Sequence, residues 1–153
     1  MKAGPEFIAV VILAGVLSPA TQVQAETPAK SATELVKEAK AQIENLTPEQ
    51  VQEELASGNS ILVDIRDGEE LSEAGRIPGA VHASRGMLEF YADPSHPLHK
   101  PEFDKAKRII LQCTSGGRSA LATITLQQMG YRNVAHLDGG LRAWKKAGLP
   151  VTE

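Results

Sequence analysis

Arg108-Ile109-Ile110-Leu111-Gln112-Cys113-Thr114-Ser115-Gly116-Gly117-Arg118-Ser119 is the stretch on which the fold turns. Its first part is a nearly continuous apolar run, the pattern of a strand buried on both faces. From Ser119 to Met129 the chain is helix-compatible, and Gly130-Tyr131 breaks the pattern. Between strand and helix lies a turn with two glycines, one arginine and the only cysteine of the protein. In open α/β sheets, sites form outside the carboxyl ends of the strands, and Cys113 directly follows one.

The same alternation extends to both sides. Upstream, Thr47-Pro48-Glu49-Gln50 is a strong helix start, with Thr as N-cap, Pro at the first helical position and Gln closing a capping box. That helix is predicted to reach Ala56 and stop at Ser57-Gly58-Asn59. Ile61 to Ile65 forms a second buried strand, Glu69 to Ala74 a short helix, Val81 to Ala83 a short strand and Met87 to Tyr91 a helical turn. Asp93 to Pro101 carries three prolines and reads as an irregular loop. Downstream, Val134 to Leu137 is a strand and Leu141 to Ala147 a terminal helix. Short strands alternating with helices imply an α/β fold in three layers, a central parallel sheet flanked by helices on both faces.

The chain has 153 residues, 42% of them hydrophobic and 23% charged, which suits one globular domain with an appendage. There are 16 Lys and Arg against 19 Asp and Glu, and no basic block or aromatic-interleaved basic stripe, so nucleic acid is not an expected partner. Residues 1–25 read as a signal peptide: Lys2 is a weak basic start, Phe7 to Leu17 an apolar run too short to span a bilayer comfortably, and Val23-Gln24-Ala25 a small-x-small cleavage site. The alternative is a retained anchor. The expectation is export, to a bacterial periplasm, without stable membrane association after cleavage. Residues 26–45 are then a linker and an N-terminal helix, Ala32 to Gln42, outside or capping the main domain, with Ile43 to Leu46 as an edge strand and residues 46–153 as that domain. Exported proteins commonly pair their cysteines, whereas Cys113 has no partner within the chain.

A free thiol titrates near pH 8.5, and at a helix N-terminus beside a cation this falls to roughly 3.5–7.5. Both features are expected around Cys113. The helix dipole and its unpaired N–H groups act from Ser119 onward, and Arg118 is a permanent cation in the same turn. Gly116 and Gly117 let successive N–H groups point inward as an anion-holding nest, and Thr114, Ser115 and Ser119 add hydroxyls. The expected site is a cup with a nucleophilic sulfur at its base.

Cys113 to Ser119 resembles the active-site loop of single-domain members of the rhodanese (thiosulfate sulfurtransferase) family. Val63-Asp64-Ile65-Arg66 with Glu69-Glu70 and Gly75-Arg76-Ile77-Pro78-Gly79-Ala80 is similar to the family's N-terminal signature, and Leu137-Asp138-Gly139-Gly140-Leu141-Arg142-Ala143-Trp144 to its C-terminal one. Arg76 stands where the family usually has His, and one extra residue lies between Arg66 and Gly75. The resemblance implies a rhodanese-like domain and double displacement: Cys113 takes a sulfane sulfur from thiosulfate or a similar donor as a persulfide, then yields it to a thiol or cyanide, with no cofactor. A redox protein is a further candidate partner. Arg118 would either orient an anionic donor or hold the loop by bonding its carbonyls. The four residues between Cys113 and Arg118 match the sulfurtransferase loop, whereas the related phosphatases carry one more. Alternatives are a non-catalytic sulfur carrier or redox sensor and, behind it, a phosphatase or arsenate-reductase-like enzyme.

Other polar residues have plainer readings. Asp64 and Arg66, at a strand end on one face, either line the site's rim or form a structural ion pair. His96-Pro97-Leu98-His99 lacks the companions of a metal site, and no metal is expected. His82 and His136 read as satisfied core or rim groups, Trp144 as a core anchor, and Glu69, Glu70 and Glu73 as a charged helix face. Arg76 and Arg85 are candidates for added positive potential near the pocket.

Overall fold

The computed structural model describes residues 28–105 and 108–152, and the expected signal peptide lies outside them. Helix α1, Ala32–Gln42, begins at a capping box in which Ser31 and Glu34 each accept the other's backbone N–H. Strand β1, Glu44–Leu46, leads to α2, Pro48–Ala56, whose Thr47 and Gln50 form the second such box. Then follow β2, Ser60–Asp64, α3, Gly68–Ala74, and β3, Val81–His82. A 3-10 turn, Arg85–Met87, runs into α4, Leu88–Ala92. Helix α5, Pro101–Lys105, precedes β4, Arg108–Gln112; α6, Gly117–Gln128, β5, Val134–Leu137, and α7, Gly140–Lys146, complete the chain.

The five strands form one parallel sheet in the order β1-β5-β4-β2-β3. Because strand side chains alternate, each strand feeds two cores. Val63, Ile109, Leu111 and Val134 face α4 and α6, packing with Leu88, Ala92, Ala122 and Leu126. Leu62, Ile110, Ala135 and Leu137 face α2 and α7, packing with Val51, Leu141 and Trp144. Burying each such Leu or Ile stabilises the fold by about 1.5–3 kcal/mol.

Two features differ from the sequence-based expectations. Helix α6 starts at Gly117 rather than Ser119, because Gly116 turns the chain at φ 88° and frees the next residue for helical geometry. Helix α5 sits where a loop and an unassigned run were expected; Pro101 opens it, since proline's fixed φ suits a first helical position. The N-terminal helix, read as lying outside or capping the domain, packs as α1 on α6, and β1 pairs with β5 at the sheet edge, where an edge strand was expected. No helix among the described residues is long and apolar enough to cross a membrane.

Candidate active site

Two turns at the carboxyl edge of the sheet interlock to build the site. The turn after β5 presses its backbone against the cysteine loop: Leu141 N donates to Cys113 O at 2.8 Å and Arg142 N to Thr114 O at 3.1 Å. Such contact requires glycine. A Cβ on Gly140, at φ +59°, would stand 2.2 Å from Cys113 O, and one on Gly116, at φ +88°, 2.9 Å from Gly139 N.

Cys113 is buried at 1% exposure, its Sγ aimed at the start of α6. Gly116 N donates to Sγ at 3.2 Å, and the Ser119 hydroxyl lies 3.6 Å away. The N–H groups of Gly117, Arg118 and Ser119 open α6 and so have no carbonyl one turn earlier to bond. They add the positive end of the helix dipole to the sulfur's surroundings. The arrangement suits an anionic sulfur and charge on an atom attached to it.

Arg118 does not point into empty space. Its guanidinium donates to both carboxylate oxygens of Glu70 at 2.7 Å and to Thr114 Oγ1 at 3.3 Å, while the Thr114 hydroxyl donates to Glu70 Oε1 at 2.6 Å. The hydrogen bonds from Arg118 push the Glu70 carboxyl down to about 2. Glu70 therefore corrects the sequence reading. Glu69 and Glu73 are exposed, but Glu70 turns inward and clamps the loop. Helical spacing gives no hint of this, because the partner lies 48 residues away.

Asp64 and Arg66 lie beneath the site, not at its mouth. Arg66 makes a bidentate ion pair with Asp64, at 3.0 Å from Nε and 2.7 Å from Nη2, and both side chains are essentially solvent-free. The guanidinium also donates to Glu70 O and Gly75 O. It thereby pins α3 and the residue that follows it, and with them the clamp.

Behind Cys113 stands a chain of polar groups, buried at Ser119 and His136 and reaching the surface at Asn45, that the sequence reading did not connect. Ser119 Oγ is 3.1 Å from His136 Nδ1, and His136 Nε2 is 2.8 Å from Asn45 Oδ1. Burial pushes His136 down to about 4, so the ring is neutral at ordinary pH. Of the other residues weighed, His82 Nε2 lies 2.8 Å from Arg66 O, and Trp144 is a core residue whose indole donates to Pro150 O. Arg85 pairs with Glu89 and Thr125, whereas Arg76 is exposed and its backbone bridges to Thr152. No cluster of His, Cys, Asp and Glu that could hold a metal occurs among the described residues. A cleft lined by Ala32, Thr33, Val36, Lys40, Ser115 and Gly117 runs between α1 and the loop. Lys40 is held beside it by Asp138.

The rhodanese-like domain model matches residues 47–147, which include every residue of the cysteine loop and the clamp. The chain belongs to the rhodanese-like family. Within it, a sulfurtransferase of Allochromatium vinosum is 32% identical over 110 residues, covering 71% of this chain and 94% of that protein. The thiosulfate sulfurtransferase GlpE of Actinobacillus succinogenes is 32% identical over 109 residues, covering 69% and 87%. Among solved structures, a Rhodopseudomonas palustris protein of unknown function, described as a possible tyrosine phosphatase, is 39% identical with a TM-score of 0.76, covering 84% of this chain and 99% of its own. That match extends beyond the rhodanese-like core of 47–147.

Proposed function

We propose that this rhodanese-like chain is a sulfurtransferase that carries sulfur on Cys113. The Cys113 thiolate attacks the outer sulfur of thiosulfate or a similar donor. A bond forms from Sγ to that sulfur, the donor's S–S bond breaks, and sulfite leaves with the electron pair. The persulfide's charge is stabilised by the N–H groups that open α6. A thiol or cyanide then attacks the outer sulfur and releases the Cys113 thiolate. The N-terminal sequence extends the proposal to an exported enzyme.

The observation that carries the reading is Gly116 N donating to Cys113 Sγ at 3.2 Å in a loop with four residues between Cys113 and Arg118. The curated relatives named sulfurtransferases point the same way. Thiosulfate added to the purified protein is expected to raise its intact mass by one sulfur atom, and Cys113→Ser to abolish the gain. No gain in the unaltered protein, or an equal gain in the variant, refutes the mechanism. Loading without catalytic transfer to cyanide or small thiols identifies a carrier. The relative described as a possible tyrosine phosphatase supplies the second reading. Hydrolysis of an aryl phosphate, lost in Cys113→Ser, would establish it.

A further inference from the structure

We infer that His136 is a positioning residue that turns the Ser119 hydroxyl away from Cys113, so that Ser119 accepts from the Cys113 thiol instead of donating to its thiolate. The inference rests on Cys113 being the nucleophile proposed above. Its test reads the thiol directly and needs no sulfur donor.

The proton positions follow from the hydrogen-bond chain, beginning at Asn45. The Asn45 amide donates to Lys40 O at 2.8 Å and to Ile43 O at 3.0 Å, which commits its nitrogen. The oxygen, Oδ1, is therefore the atom 2.8 Å from His136 Nε2, and Nε2 must carry the ring proton. With the ring neutral, Nδ1 is an acceptor. His136 is fully buried, and the Ser119 hydroxyl at 3.1 Å is the donor that reaches Nδ1. Leaving Nδ1 without it would strand a buried acceptor.

A hydroxyl has one proton. Donated to His136, it leaves a Ser119 lone pair facing Cys113 Sγ at 3.6 Å, where only a thiol S–H makes a favourable contact. Gly116 O, 3.2 Å from Ser119 Oγ, competes for the same proton and likewise draws it away from sulfur. The loop N–H groups thus favour the thiolate while His136, through Ser119, favours the thiol.

The charged groups that act on this part of the molecule are Asp67 at the cap of α3, Glu70 in α3, Arg118 in α6, Asp138 after β5 and Lys40 in α1. Arg142 on α7 has an exposed side chain. None is altered by the substitutions that test the inference.

The experiment measures the rate of iodoacetamide alkylation of Cys113 against pH in the full chain. In His136→Leu the hydroxyl is free to donate to sulfur, and a thiolate is a stronger acceptor than a carbonyl. The profile is expected to move down by about one pH unit, a tenfold larger thiolate fraction below its midpoint. Ser119→Ala removes the thiol's acceptor and is expected to move the midpoint down by a smaller amount. In Ser119→Ala, adding His136→Leu is expected to shift nothing further. An upward shift in Ser119→Ala would show that the hydroxyl donates to the thiolate, and overturns the inference. So does an unmoved profile in His136→Leu, or an equal His136→Leu shift with and without Ser119. Failure of thiosulfate loading with these shifts present would refute the sulfurtransferase reading alone.

Discussion

Glu70 faces Arg118 with both carboxylate oxygens, each 2.7 Å from a guanidinium nitrogen. The only permanent cation of the cysteine loop is thus committed to a carboxylate from α3. The hydrogen-bond partners of its guanidinium are that carboxylate and the Thr114 hydroxyl, not the loop carbonyls that the sequence reading offered it. For the anionic donor of the proposed reaction, this means an ion pair in place of a free cation, with the N–H groups at the start of α6 as the expected attraction.

Glu70→Gln keeps the size and an acceptor oxygen but removes the negative charge. The Michaelis constant for thiosulfate, a dianion, is expected to fall several-fold at low ionic strength, and added salt to narrow the gap. An unchanged constant would mean that Glu70 acts only as a brace. The pH dependence of stability has a definite sign. Glu70 is held near 2 in the folded protein against 4.5 ordinarily, so its stabilisation is complete above about 4.5 and is lost as pH falls from there towards 2. Melting temperatures across that range are expected to fall less steeply in Glu70→Gln than in the unaltered protein.

His136 loads the opposite kind of group. Its folded value of about 4 lies below the ordinary 6.5, because burial penalises the imidazolium. The unfolded chain then binds a proton that the folded one refuses. Stability is retained above about 6.5 and declines as pH falls from 6.5 to 4, by about 3 kcal/mol in total. Denaturant unfolding of His136→Leu is expected to lack this component between pH 6.5 and 4. A decline of equal size in the variant would assign it elsewhere.

The sheet, its strands and the position of Cys113 were legible because they rest on local signals: apolar runs, capping boxes and glycine turns. The start of α6 was missed by two residues because Gly116 acts as a left-handed cap, which only the backbone reveals. What the sequence left dark are pairings across long separations. Glu70 looks like any glutamate on a polar helix until α3 is laid against the loop. Asn45 and His136 are 91 residues apart and meet only because β1 and β5 are neighbours. Asp64 and Arg66 were seen as a pair, but their depth follows from the elements that cover the end of β2.

That depth sets the cost of breaking the pair. Arg66→Leu leaves Asp64 buried without its counter-ion and frees the carbonyls of Glu70 and Gly75. Removing one partner of a buried ion pair costs about 3–5 kcal/mol. Arg66→Leu is expected to lose that much in denaturant unfolding, and Asp64→Leu with Arg66→Leu to recover part of it. Because Arg66 also anchors α3, the variants are expected to load sulfur more slowly even at temperatures where they remain folded. Equal loss in the single and double variants would show that the bonds from Arg66 to the carbonyls, not the charge pairing, dominate.

The last expectation concerns the contact between the two turns. Gly140 is required on two independent grounds, a φ of +59° and a Cβ position 2.2 Å from Cys113 O. Gly139, at φ +72°, has a Cβ position 2.6 Å from Ala143 Cβ, a side-chain atom of the helix it caps. Both substitutions strain the backbone, at about 1–3 kcal/mol each. Only Gly140→Ala also drives a methyl group into the carbonyl of Cys113, displacing the loop that presents Sγ to Gly116 N. At matched foldedness, checked by circular dichroism, Gly140→Ala is expected to lose persulfide loading by at least about tenfold, as small misplacements of a reacting atom do. Gly139→Ala is expected to lose stability with loading less impaired. The same loading defect in both would mean that the turn acts through its overall stability, and that the contact at Cys113 O has no separate role.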